Sequence, residues 1–397
     1  MKIVYFILSY IIVCLSANAQ HIERSCGTTY IPDNAQPIPE TFSTYNRENI
    51  EIPVVFHLLY SSEEENLSDK LILSQLEVIN RDYNQIDPLT KGLPKKFNNK
   101  VASPGISFCL ATVDPFGNST DGIIRVSTSV ENIANADLLF NGERVIKSSE
   151  LGGSSAWDHE LYLNIWIGAR DDGITGDSTF PDDPDETETD GVVLAYDVVG
   201  FRPELEGRFN LGRTLTHEIG HYLNVFHPHG SETGCFSDDD LIADTPKQYG
   251  PYFGKCDEDV SSCGSQDMDT NFMNFRDDEC LFYFTQGQVD RMMQTLFSSR
   301  YKLISSQTCS DVRPAPSNPL KVAPILTLSQ GIEIPLFALS NQEYKLFLYD
   351  TSGRRIWQTS SNPEHRYSTA SLSLGANIYI LILELDGEIF SRKVFIN

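Results

Sequence analysis

Two histidines four residues apart, His217 and His221, lie in the run Thr216-His217-Glu218-Ile219-Gly220-His221-Tyr222-Leu223-Asn224-Val225-Phe226-His227. Four residues is about one helical turn, so on a helix both imidazoles leave from one face and can share one divalent ion. Imidazole nitrogen suits zinc. Glu218 follows the first histidine directly. From there its carboxylate can take a proton from a water polarised by the ion, without being a ligand itself. A His-Glu-x-x-His run alone is ambiguous, because it also occurs in helices that bind nothing. The third histidine, His227, stands ten residues after the first and decides for a metal. Three protein ligands and one open position are what a catalytic zinc uses. A continued helix would carry His227 away from the ion. The chain must therefore turn sharply near Asn224, close to left-handed geometry, which Asn tolerates better than most residues with a side chain. His57, His159, His229 and His365 have no such spacing and read as surface or strand histidines, with His229 as the outside candidate for touching the site.

The elements that must hold this run are legible around it. Ile50–Tyr60 is an apolar, β-branched run of buried-strand type. In Ser68–Asn84, Leu71, Leu73, Leu76, Val78 and Ile79 recur at helical spacing, with Ser68 as N-cap. Ile106–Val113, Tyr162–Gly168 and Gly191–Tyr196 read as further strands, and Thr214–Val225 as the metal-bearing helix. Strands alternating with helices predict an α/β lobe. Beyond it the chain is irregular, rich in Asp and Gly, and holds Cys235, Cys256, Cys263 and Cys280, before a last helix at about Thr285–Ser299. Residues 311–320, DVRPAPSNPL, are a proline-stiffened linker. After it, Tyr344–Tyr349, Arg355–Gln358, Ile378–Leu385 and Ile389–Ile396 alternate as strands, with Asp386-Gly387 as a hairpin turn. The tail therefore predicts a small all-β sandwich over 321–397.

A chain of 397 residues is long enough for more than one domain, and its 40% hydrophobic content can supply real cores. A net charge of −25 argues against nucleic acid and anionic membranes as partners, since both reward Lys and Arg. The first residues, MKIVYFILSYIIVCLSANAQ, have the form of a signal peptide over 1–19. Cys14 would mark a lipoprotein if a small residue preceded it, but Val13 does. No later segment is apolar over a membrane-spanning length. Export permits disulfides. Cleavage leaves Cys26, Cys109, Cys235, Cys256, Cys263, Cys280 and Cys309, an odd set with one thiol over.

His217–His227, together with Phe272-Met273-Asn274-Phe275, the following Asp277-Asp278-Glu279-Cys280, and Asp244-Thr245-Pro246, resembles the pappalysin family of metzincin zinc metallopeptidases, its bacterial ulilysin-like members above all. The resemblance runs from Cys26 to about Cys309. It implies a twisted mixed sheet and zinc helix above an irregular, disulfide-braced lower part, forming a catalytic domain over 47–310. It implies peptide or protein substrates, and zinc on His217, His221 and His227 with Glu218 as general base. Met273 would be the Met-turn residue beneath the ligands. Where the family usually has a Tyr whose hydroxyl stabilises the tetrahedral intermediate, this chain has Phe275, which implies either a slower enzyme or another donor such as a backbone N–H.

The resemblance also pairs Cys235 with Cys263 and Cys256 with Cys280, which leaves Cys109 and Cys309 for a third bridge. Cys26, in Arg24-Ser25-Cys26-Gly27-Thr28, resembles the family's cysteine switch, the thiolate filling the open zinc position of a zymogen whose propeptide spans 20–46. Asp278, or the adjacent Asp277, would floor the S1′ pocket and select Arg or Lys after the scissile bond. Self-cleavage of Asn46-Arg47 would fit that preference. Calcium is expected near Asp238, Asp239, Asp240 and Asp244, with Asp240 and Asp244 as candidate ligands. The tail resembles a type IX secretion sorting domain through Lys345–Asp350, Gly353-Arg354, Leu374-Gly375, Ile378-Tyr379 and Arg392-Lys393, with Val322-Ala323-Pro324 in place of the usual entry motif. The expectation is an exported, secreted or cell-surface monomer without a transmembrane anchor, whose other partner is the secretion machinery. The rival from another class is a surface adhesin in which zinc is only structural.

Overall fold

The structure is a computed structural model that describes residues 25–28, 50–84, 97, 100–181, 189–205, 207–230, 233–236, 239–256, 260–306, 308–309, 326–328, 331–335, 344–360, 366–369, 372, 374–375, 377–385 and 388–396. The expected signal peptide, most of the propeptide, the Asn46-Arg47 bond, the linker, Val322-Ala323-Pro324 and the Asp386-Gly387 turn lie outside the described residues.

Strand β1, Ile50–Tyr60, is the spine of a six-stranded sheet. Eight consecutive residues of β1 are buried, which explains its unbroken apolar run: a central strand has no solvent face. On one side β1 pairs in parallel with β2, Ile106–Leu110, through its first half and with β3, Ile123–Ser127, through its second. On the other side lies β4, Leu163–Gly168. Short strand β5, Gly176–Ser178, closes that side, antiparallel to β6, Gly191–Ala195, which is itself parallel to β4. The sheet thus ends on one antiparallel edge strand, β5.

Helix α1, Asp69–Tyr83, starts where Ser68 accepts the N–H of Leu71. It packs against helix α2, Arg213–Tyr222, every residue of which is buried. The two join the sheet in one core with Ile52, Val54, Ile165, Val192, Leu215 and Ile219. Among the described residues the second half of the lobe has two-residue ladders and a 3-10 turn, Asp278–Cys280, until helix α3, Gln286–Leu296, begins with a reciprocal Thr285–Gln288 capping box. The disulfides are Cys235–Cys263, Cys256–Cys280 and Cys109–Cys309. The last ties β2 to the chain beyond α3.

The tail holds an antiparallel four-stranded sheet of Arg355–Ser360, Tyr344–Asp350, Asn377–Leu385 and Glu388–Ile396, and a three-stranded one of Leu326–Leu328, Gly331–Pro335 and Arg366–Ser368. Its own core contains Leu346, Leu348, Leu381 and Leu383. Among the described residues no helix is long and apolar enough to cross a membrane.

Candidate metal centre and cleft

Helix α2 carries His217 and His221 on one face, as their spacing predicts. The chain leaves it through Asn224 at φ 69°, with the Val225 N–H donating back to the Gly220 carbonyl at 2.9 Å. That left-handed residue ends the helix and turns His227 back toward the other two rings. The Nε2 atoms of His221 and His227 are 2.8 Å apart, those of His217 and His221 3.1 Å, and those of His217 and His227 3.2 Å.

The second ring nitrogens explain which atoms face inward. His217 Nδ1 lies 2.8 Å from the Phe272 carbonyl and His221 Nδ1 2.7 Å from that of Val225. A carbonyl only accepts, so both Nδ1 atoms carry their protons and both Nε2 atoms present lone pairs. Burial pushes His221 down to about 3 and His227 well below the ordinary imidazole value. Neutral lone pairs this close repel one another unless a cation lies between them. Tetrahedral zinc would set such nitrogens roughly 3.3 Å apart, so the donors fit that ion with a small outward shift. Cys26 Sγ completes a four-atom group with them, all within 4.8 Å of one another.

Residues 25–28 reach this group along the sheet edge. Cys26 bridges Gly176 of β5 in the parallel sense, Gly27 N–H donates to Gly176 O, and Thr175 N–H donates to Ser25 O. Thr28 Oγ1 accepts the Ser178 N–H at 2.8 Å and lies 3.3 Å from Glu218 Oε2, while Cys26 Sγ is 3.6 Å from that same oxygen. Burial first, and Glu218 second, push the Cys26 thiol well above its ordinary value in the protein alone. Glu218 comes this close to β5 because Gly176 has no side chain: a Cβ there would stand 2.9 Å from Glu218 Cγ.

Met273 lies fully buried under α2, and a Cβ on Gly220 would stand 2.3 Å from its sulfur. The helix therefore rests on Met273 only because position 220 is Gly. The same turn holds the His217 ring through the Phe272 carbonyl. Phe275 packs beside His217, His227 and His229 at ring distances of 5.6, 4.8 and 5.6 Å. Its N–H donates to Asn274 Oδ1.

Asp278 is fully buried, and its Oδ2 accepts the N–H groups of Leu211 and Arg213 at 2.9 and 3.2 Å. It thereby caps α2, whose N-cap residue Gly212 has no side chain to do so. Asp277 instead pairs with Arg208 at 2.6 Å. Asp240 accepts from Thr245 Oγ1, and Asp244 from Thr285 Oγ1 and the Gly287 N–H. Among the described residues neither joins a group of three ligand-bearing side chains.

His57 lies in a strand, one of the two expected settings, and His229, the outside candidate, lies beside the ligand histidines. His57 is fully buried, stacked on Trp166 at 5.1 Å, and bonded to Ser154 Oγ and Asn164 Oδ1. Its apolar neighbours on β1 are the signal that could have placed it inside. His229 belongs to the site, stacked on His227 at 5.1 Å. Its spacing gives no sign of this, because it lies two residues beyond the last ligand-type histidine.

Residues 147–297 match the peptidase family model described as pregnancy-associated plasma protein-A. A solved structure of mature mirolysin from Tannerella forsythia, in complex with a cleaved peptide, is 37% identical with a TM-score of 0.60; the match covers 64% of this chain and 95% of that one. A promirolysin variant from the same organism matches at 36% identity and TM-score 0.60, over 65% of this chain and 84% of its own. An extracellular metalloprotease of Arthroderma gypseum is 28% identical over 296 residues, 70% of this chain and 85% of that protein.

Proposed function

The chain belongs to the pappalysin family of metzincin metallopeptidases, and from that premise we propose that it is an exported zinc endopeptidase, made latent and working through Glu218. As a family member it hydrolyses peptide bonds in protein or peptide substrates. The observation that carries the finer reading is the convergence of three buried imidazole lone pairs beside Glu218, in a cleft whose edge strand β5 already holds an extended segment.

His217, His221 and His227 would hold the ion. Zinc bound there would supply Lewis acidity, polarising the scissile carbonyl and bringing the pKa of an adjacent water to about 7. Glu218 takes the proton from that water and passes it to the leaving amine. Met273 supports α2 from below, and β5 receives the substrate as an added strand.

Latency rests on Cys26, whose sulfur lies within 4.8 Å of the three ring nitrogens and would serve as the fourth ligand. Residues 25–28 hold β5 at the same time, so substrate and pro-segment compete for one edge. Release by cleavage of Asn46-Arg47 would accord with a preference for Arg or Lys after the scissile bond. On the resemblance we place that preference at Asp278, whose carboxylate is buried at the start of α2, while Asp277 pairs with Arg208.

The division into signal peptide 1–19, propeptide 20–46, catalytic domain 47–310, linker 311–320 and sorting domain 321–397 follows from the sequence, as does export through type IX secretion. Relatives named as extracellular metalloproteases support the exported state. We also propose that it acts as a monomer. Calcium in the loop with Asp240 and Asp244 is proposed on the resemblance and on the aspartates crowded there, and a fall in Tm when EGTA is added at constant zinc would support it.

The test is digestion of a random peptide library by the activated protein, read by mass spectrometry, with Glu218→Gln as control. The expected result is cuts before Arg or Lys, with the rate lowered about 10²–10⁴-fold or more in the variant while zinc stays bound. Cuts elsewhere would discard Asp278 as the selecting group. An absence of cuts would leave zinc as a structural ion, as in the adhesin reading.

A further inference from the structure

Phe275 offers this site no hydroxyl, and several of the hydrogen-bond donors around it among the described residues are already committed. The Phe275 N–H donates to Asn274 Oδ1 at 3.0 Å, and the Tyr252 hydroxyl to Asp267 Oδ2 at 2.6 Å. The Gly230 N–H donates to the His227 carbonyl at 2.9 Å. His229, beside Phe275 itself, stands apart from these. The residue is 7% exposed, it lies beside both His227 and Phe275, and neither of its ring nitrogens makes a hydrogen bond of ordinary geometry, the Gly230 backbone being its one weak polar neighbour. A buried polar group left unpaired destabilises a fold, so such a ring next to a reaction centre calls for a ligand.

We propose that His229 is a catalytic residue whose imidazole N–H donates a hydrogen bond to the scissile carbonyl oxygen as that oxygen gains negative charge. This rests on the endopeptidase reading above. The ring stands nearly parallel to His227, at 15°, so it flanks the metal ligand instead of facing the ion with it. As the nucleophile adds, the carbonyl π pair moves onto oxygen, and the N–H bond to that oxygen strengthens. No proton changes owner. When the C–N bond breaks, the pair returns to re-form the carbonyl, and the hydrogen bond relaxes. Either protonation state of an imidazole carries at least one N–H, so the role does not depend on titration. The missing hydroxyl of Phe275 and the weakly partnered nitrogens of His229 thus answer one another across a ring distance of 5.6 Å.

The test uses the zinc-loaded full chain after proteolytic removal of the segment carrying Cys26. His229→Phe, His229→Gln and the double variant His229→Phe/Phe275→Tyr are compared with the unsubstituted protein. Four quantities are read: kcat and KM, zinc content, Tm, and the Ki of a phosphinic peptide, a tetrahedral analogue, beside that of a thiol peptide that binds the metal without a tetrahedral centre. The expected result for His229→Phe is a kcat about 10²-fold lower with KM within twofold. The phosphinic Ki should weaken by a similar factor, and the thiol Ki, zinc content and Tm should hold. The double variant should recover part of the lost kcat, and His229→Gln, which keeps an N–H donor, should lose less than His229→Phe.

A kcat and phosphinic Ki within threefold of the original in His229→Phe would overturn the proposal. So would equal weakening of both inhibitors, or loss of zinc, since these mark a structural or ligand role. If the unsubstituted protein binds zinc but cleaves no peptide and binds no phosphinic peptide, the endopeptidase reading itself falls. An active original with an indifferent His229→Phe variant removes only this inference.

Discussion

Above helix α2 the catalytic lobe is a sheet; below it almost nothing repeats. The six strands and α1 bury a continuous apolar layer in which no single contact dominates. The lower part relies on separate locks. Cys235–Cys263 and Cys256–Cys280 close short loops. Arg276 reaches Asp269 at 3.0 Å, both side chains at most 4% exposed, and also donates to the Phe253 and Lys255 carbonyls at 2.7 Å. Arg291 donates to the carbonyls of Asp240 and Leu241. A regular lobe spreads its stability over many similar contacts. An irregular one concentrates it, because its backbone polar groups have no ladder and must each find a partner.

The sharpest way to break this comparison is Asp269→Ala, which strands the buried Arg276 charge. The expected loss is about 3–5 kcal/mol by urea unfolding; a loss below about 1 kcal/mol would mean the lower part is not held by such locks. Next, Cys235→Ala/Cys263→Ala opens a loop with a separation of 28 residues, and should cost about 3.5 kcal/mol if unfolded-chain entropy governs.

A pH experiment separates the two regions by sign. Burial lowers His57, in the sheet, to about 4, so the unfolded chain binds more protons between there and the ordinary imidazole value. The sheet region should therefore be most stable above about pH 6.5 and lose on the order of 3 kcal/mol as pH falls toward 4. His57→Gln should flatten that slope in thermal melts. Asp240, below the helix, is raised by burial to about 7, so its contribution runs the other way and is lost as pH rises from about 4 to 7. The smallest effect is expected from Ile165→Val in the middle of the sheet, about 1 kcal/mol with kcat/KM unchanged. If it matched Asp269→Ala, the contrast between the two regions would be gone.

The regular half was legible because periodicity reports burial. Ser68 caps α1, the run Leu163–Gly168 is a strand with every residue buried, and Asn224 makes the left-handed turn that the His227 spacing demands. Edges blur where the partner strand stops: β2 ends at Leu110, short of Val113, because β1 takes β3 as its neighbour from Phe56 onward. Other features lay beyond the sequence. Nothing near Asp278 in the chain says that it caps a helix more than fifty residues earlier. Nothing near Thr28 says that its hydroxyl meets Glu218.

The sequence by itself determined the ligand spacing, the bend after α2, the sheet strands, the family and the odd cysteine. These are local patterns, or matters of residue type, and helical and strand periods translate them directly into geometry. Only the tertiary structure decided that His57 is core and His229 is site, that Cys26 enters along β5, and that Met273 meets Gly220. Each of those depends on which distant segments come together, and an irregular chain carries no period from which such a meeting can be read.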